Sequence, residues 1–123
     1  MLSKNAVVKT RRAIEKWYTG TFTVTERNRI TKPNHTTGFS DVVVLTDQPC
    51  RLSFQSNPSV GDGDFPTVNQ TVKLFFAPEI EVKEGSKITV TQNGVTTEYK
   101  RSGTPAVYET HQEILLELFK GWA

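Results

Sequence analysis

The dipeptide Asn93-Gly94 constrains this chain more than any other pair of residues. It separates residues 87–92 from residues 95–100, two runs rich in β-branched side chains. A two-residue hairpin turn asks both central residues for positive φ, which Asn-Gly accepts at little cost. Such a turn also fixes the register, so Ile88 faces Tyr99, Val90 faces Thr97 and Gln92 faces Val95. These pairs share one face, so turn chemistry and apolar pattern select the same pairing. A lone hairpin is barely stable in water, so its apolar face needs further strands to cover it.

The rest of the chain supplies them. Phe22 and Val24 alternate with Thr21, Thr23 and Thr25, and Cys50, Leu52 and Phe54 with Arg51, Ser53 and Gln55. Val72, Leu74 and Phe76 share a face with Phe75 opposite, before Pro78 ends the run. Val42-Val43-Val44-Leu45 is apolar on both sides and predicts a strand covered on both faces. Asp47-Gln48-Pro49 predicts a turn after it, and Glu84-Gly85 another. Residues 111–119 have the Glu and Leu content of a helix. Their alternation (Gln112, Ile114, Leu116 and Leu118 on one side) is that of a strand, and strand is the reading adopted. Residues 28–40, with Pro33, Asn34 and Gly38, read as a polar loop. Residues 56–70 hold two Gly and two Pro without periodicity, and read as a long structureless loop, a feature usually tied to function or disorder.

Before the strands comes a helix, expected over residues 4–19 with Ser3 as N-cap and Gly20 as stop. Ala6, Val7, Thr10, Ala13, Ile14, Trp17 and Tyr18 lie near one face, and Lys9, Arg12 and Lys16 on the other. The first twenty residues hold five cations against Glu15 alone, although the whole chain is only +2. A basic face of this kind is either solvated or meets an acidic protein or a nucleic-acid backbone. The fold expected is mostly β: one domain over 1–123, with a helix in 1–20 and a small antiparallel β-barrel or sandwich of about seven strands in 21–123.

Little in the sequence points to catalysis. Cys50 is the single cysteine, so no intrachain disulfide forms, and its place in an alternating run makes it a packing residue suited to a reducing compartment. His35, His111 and Cys50 are too few and too scattered for a zinc site. Asp62-Gly63-Asp64 lacks the closing Glu of a calcium loop. Glu79, Glu81 and Glu84 read as exposed turn positions rather than a catalytic pair. There is no nucleophile elbow, P-loop or dinucleotide fingerprint. No apolar run approaches the roughly 18 residues of a membrane helix, and the N-terminus lacks an apolar secretion signal. The expectation is a binding protein with no enzyme activity, cofactor or metal. One alternative is an OB-like nucleic-acid module, using Phe75 beside Lys73 and Tyr99 beside Lys100 and Arg101, although the hairpin register assigns Tyr99 to the core.

Four phrases follow one another in a telling order: Pro49-Cys50-Arg51-Leu52-Ser53-Phe54, Lys73-Leu74-Phe75-Phe76-Ala77-Pro78, Val82-Lys83-Glu84-Gly85-Ser86-Lys87-Ile88-Thr89-Val90, and Ala106-Val107-Tyr108 followed by His111-Gln112-Glu113-Ile114. Their succession, from about Ile14 to Trp122, resembles the small head–tail connector proteins of long-tailed phages and prophages of Gram-positive hosts. These form the head-completion, head-closure or stopper class, sometimes called minor capsid proteins. The resemblance implies a β-barrel subunit of a usually dodecameric ring in the virion neck, assembled in the host cytoplasm. Its partners would be the portal or adaptor, the tail-side proteins and further copies of itself. Packaged DNA would lie nearby, and no membrane is involved.

The resemblance also implies a loop reaching into the central channel, matched by Val60, Gly61, Asp62, Gly63, Asp64 and Phe65. That loop holds two acids and no cation, so it would block sterically or through neighbouring loops rather than grip phosphate. Arg11, Arg12, Lys16, Phe75 and Leu115 are the candidate docking residues: a basic helix face, and two apolar side chains on otherwise polar strand faces.

Overall fold

The computed structural model describes residues 3–60 and 66–122, the side chains at 57–60 and 66–69 excepted. α1 (Lys4–Glu15) is followed by β1 (Gly20–Thr31), β2 (Thr37–Val60), β3 (Pro66–Phe76), β4 (Lys87–Gln92), β5 (Val95–Val107) and β6 (Gln112–Leu118). The strands close a barrel in the order β1-β2-β3-β6-β5-β4, with every neighbouring pair antiparallel. Residues 112–118 are a strand, and the fold is the mostly-β barrel with a helical lead-in that the sequence predicts.

The Asn93-Gly94 hairpin has the expected register, with Ile88 opposite Tyr99 and Gln92 opposite Val95. Asn93 and Gly94 both take positive φ, 54° and 77°. The barrel is filled by Phe22, Val24, Cys50, Leu52, Leu74, Phe76, Ile88, Val90, Tyr99, Ile114 and Leu116, one side chain in two along each strand. Phe22 and Phe76 meet at its centre, ring centroids 5.0 Å apart. Val82, from the β3–β4 connection, is buried with them.

Several expectations need correction. The described strands number six, because residues 42–45 and 50–55 belong to one long β2. The expected turn at Asp47-Gln48-Pro49 is an irregularity inside that strand. Asp47 takes φ 48°, and the register against β1 shifts between Phe22 and Thr25. The shift is a bulge, which bends a strand without ending it. Val42, Val43 and Val44, expected to be covered on both faces, are 39%, 56% and 44% exposed. They lie at the barrel's margin: Val43 is opposite Thr25, the last β1 residue that β4 flanks, and Val42 is opposite Glu26, past which no third strand joins the sheet among the described residues.

Residues 28–40, expected as a loop, are mostly paired strand from Asn28↔Ser40 to Thr31↔Thr37. Only the tip turns, held by Lys32 N–H to Thr36 carbonyl (2.8 Å) and by Asn34 Oδ1, which accepts from the Thr36 hydroxyl (2.6 Å). Residues 56–60 and 66–70, expected to be structureless, also pair in register from Ser56↔Gln70 to Val60↔Pro66. Phe54 and Leu118, expected inside, are exposed, since each sits where its strand leaves the barrel.

α1 starts at Ser3, whose hydroxyl accepts from Ala6 N–H at 3.2 Å. It ends at Glu15, four residues before the expected end at residue 19. Trp17 and Tyr18 donate backward in tighter turns to Ile14 and Glu15, and aromatic and β-branched residues 17–19 are weak helix formers. Gly20 belongs to β1, where a Cβ would lie 2.9 Å from the Thr91 carbonyl oxygen. It serves a close strand crossing rather than a helix end.

Candidate functional site

Two ribbons leave the barrel, and β2 runs through both. Its first half pairs with β1 alone, its second half with β3 alone, and it changes partner between Cys50 and Arg51. The β1–β2 ribbon covers residues 26–31 and 37–42, and the β2–β3 ribbon residues 55–60 and 66–71. At about 3.3 Å per residue each extends roughly 17 Å past the closed part. The hairpins lie at opposite ends of one strand, so they point to opposite ends of the subunit.

The point of partner exchange is held by a side chain. β1 begins at Gly20, opposite Cys50, so among the described residues Leu52 has no strand neighbour on that side. Gln92 supplies the missing pairing: its amide nitrogen donates to Leu52 carbonyl (3.0 Å) and its amide oxygen accepts from Leu52 N–H (2.8 Å). A primary amide has the donor and acceptor of a peptide group and can stand in for one strand residue. Gln112 does similar work at the end of β3, donating to the carbonyls of Ala77 (2.8 Å) and Ile80. Neither was singled out from the sequence as functional. The available signal was a glutamine at an inward position of an apolar face: Gln92 beside Val90, Gln112 beside Ile114.

The β2–β3 ribbon carries no charged residue at 55–60 or 66–71. Of the candidate channel residues, Val60 ends β2, and Gly61, Asp62, Gly63, Asp64 and Phe65 lie outside the described residues.

The docking candidates separate. Arg11 is engaged within the chain, donating to Glu79 and, through Nε at 2.8 Å, to Glu15. The Arg11 hydrogen bond holds the Glu79 carboxyl below its ordinary range. Arg12 and Lys16 are exposed, with Lys9 on the same face, and among the described residues none of the three forms an ion pair. Phe75 is half-buried in a cleft of about 340 Å³ lined by Ile14, Trp17, Tyr18, Arg51, Ser53 and His111. Ile14 of α1 and Trp17 and Tyr18 just after it thus form one wall of the cleft that Phe75 lines. Trp17, placed by the sequence on the apolar face of the helix, is 64% exposed, with the Arg51 guanidinium 5.3 Å from its ring. Leu115 is exposed on β6 beside Lys73 and Tyr108.

Burial pushes the Cys50 thiol up to about 12, so it stays protonated and is a poor nucleophile. Burial likewise raises Tyr18 to about 12, and its hydroxyl has no hydrogen-bond partner among the described residues. Among the described residues no three His, Cys, Asp or Glu side chains converge as a metal site requires. No described helix is long and apolar enough to cross a membrane. Tyr99 is buried and Phe75 half-covered, so the two aromatic residues of the nucleic-acid alternative do not form an open stacking platform.

No protein-family model and no curated protein matches the sequence. The chain is similar to the solved structure of the phage-like element PBSX protein XkdH from Bacillus subtilis. The TM-score is 0.49 and the identity 9%, over 80% of this chain and 91% of that one.

Proposed function

We propose that this chain is a structural subunit of a phage-type particle, forming a ring at the head–tail joint that connects portal or adaptor to tail and helps retain packaged DNA. The order of sequence phrases described above suggests the class. The observation that carries the reading is the pair of ribbons leaving opposite ends of β2. A neck subunit needs one element to meet its neighbours and another to reach the channel, both anchored in a rigid body. The flanking strands of the β2–β3 ribbon carry no charge and the residues between them carry Asp62 and Asp64 with no cation, so the element does not grip a phosphate backbone. It acts as a steric plug. The exposed Lys9, Arg12 and Lys16 face meets an acidic surface of the adaptor or adjoining ring.

The register defines a clean test. Ser56 and Gln70 are cross-strand partners, so residues 57–69 can be replaced by Asn-Gly to close a two-residue hairpin. The barrel should fold as before, while particles carrying the variant release DNA. Filled, stable, tail-competent heads from that variant would refute the channel role.

A further inference from the structure

We propose that the β1–β2 ribbon is the self-association element of this chain: the outer edge of β1 in one copy pairs antiparallel with the outer edge of β2 in the next. Both edges are open. Among the described residues no strand flanks β1 beyond Thr25, and over residues 37–49 none flanks β2 on its outer side. Among the described residues, no backbone–backbone hydrogen bond outside the β1–β2 ladder reaches residues 37–49; only Asp47 N–H, which donates to the Thr23 hydroxyl, and the Thr46 carbonyl, which accepts from the Gln48 amide, are engaged by side chains.

An open edge with an apolar β-branched run is a template for strand addition, and natural proteins blunt such edges with proline, lysine or bulges. The β2–β3 ribbon is blunted in this way, with Pro58 on one strand and Pro66 on the other. The β1–β2 ribbon has no proline in residues 26–31 or 37–46, and it presents Val42, Val43 and Val44 to solvent.

The occupant that fits is a second copy. The two open edges lie on opposite sides of one ribbon and run antiparallel to each other. Copies set side by side, all pointing the same way, therefore meet β1 against β2 in antiparallel sense, and the contact repeats until rotation closes it. The charges are complementary as well. Residues 26–32 carry Arg27, Arg29 and Lys32 against Glu26, which Lys83 of the same chain meets at 3.9 Å, whereas residues 37–47 carry Asp41 and Asp47 and no cation; Arg27 and Asp41 already pair across the ribbon at 3.7 Å. Arg29 and Asp47 have no ion-pair partner among the described residues, so they are free for a neighbour. Closure into a ring rests on the function proposed above; the edge pairing does not, and is tested without any phage component.

The full chain is followed by sedimentation and by hydrogen exchange as concentration rises. Association should slow exchange at residues 26–31 and 38–46 together. Lysines at the solvent-exposed positions Val42→Lys and Val44→Lys bury no charge in the monomer, and should weaken each contact by about tenfold or more, ~1.4 kcal/mol. Val95→Lys, at an exposed position on another hairpin, should leave association unchanged. A chain monomeric up to its solubility limit would overturn the proposal. So would association without protection of both segments, a dimer that stops at two, or wild-type association by the lysine variants. None of these outcomes touches the channel role, which falls only with the ribbon replacement.

Discussion

Replacing Gln92 by methionine should destabilise the chain by about 2–3 kcal/mol, because one side chain closes the barrel where β2 changes partner. Methionine keeps most of the volume and removes both hydrogen bonds to Leu52, at 2.8 and 3.0 Å. A net hydrogen bond is worth roughly 0.5–1.5 kcal/mol, and a buried polar group left without a partner costs about 1–3 kcal/mol. Leu52 is 7% exposed, but its backbone lies at a strand margin that water can partly reach, which keeps the total near the middle of that range. For a chain of this size that is a fall in Tm of about 6–15 °C. Equilibrium urea unfolding measures the loss. Hydrogen exchange at Leu52 separates a local effect from a global one, since its amide should exchange faster than its neighbours even in strongly native conditions. Gln92→Glu should be nearly as damaging, because a carboxylate still accepts from Leu52 N–H but sets a negative oxygen against its carbonyl. A methionine variant within about 0.5 kcal/mol of wild type, with Leu52 exchange unchanged, would refute the reasoning: water, not Gln92, would then be satisfying the edge.

Two further outcomes follow from ionisation. Cys50 and Tyr18 are both raised to about 12, from 9.0 and 10.0. Their stabilisation is full below pH 9 and is lost as pH rises from about 9 to 12, because the unfolded chain ionises first. The fully buried thiol accounts for about 2–4 kcal/mol of that loss, and Cys50→Val should flatten unfolding free energy between pH 8 and 11 by that amount. A wild-type profile already flat would contradict it. Glu79 has the opposite sign: its carboxyl is held below 4.5 by Arg11, so its contribution is present above that value and disappears as pH falls. The pair is largely solvated, so Glu79→Gln should cost no more than about 1 kcal/mol. The effect should appear as faster amide exchange in α1 rather than as a lower midpoint, and unchanged exchange in α1 would count against the clamp.

What was legible in the sequence was the part where local chemistry and tertiary packing agree. Asn93-Gly94 set a register that the structure keeps, and the alternation of Gln112, Ile114 and Leu116 outweighed the helical composition of residues 111–119. The ribbons were not legible, because strand patterning comes from burying one face. Residues 28–40 are almost all exposed, so alternation there carries no signal, and the glycine, proline and asparagine of 28–40 and 56–70 imitate loops. Val42-Val43-Val44 misled in the opposite sense: an apolar run implies burial only where something exists to bury it. Among the candidate docking residues, Arg11 has a partner, Glu79, that local pattern could not reveal because it lies 68 positions away.

The long β2 strand ties these observations together. A strand of 24 residues is far longer than a small barrel needs. Its length is accounted for by three consecutive tasks: a ribbon with β1, a short closed segment around Cys50 and Leu52, and a ribbon with β3. A β-strand transmits register rigidly, since a slip by one residue turns every side chain to the opposite face. The bulge at Asp47 and the Gln92–Leu52 clamp fix β2 on either side of the partner exchange. Both ribbons are therefore referred to the same few residues of the core. A shift of one ribbon along β2 would have to break the clamp or the bulge before it reached the other. For a subunit of the kind proposed, whose one end would meet neighbours while the other reached inward, that coupling is what a continuous strand provides and two strands joined by a loop would not.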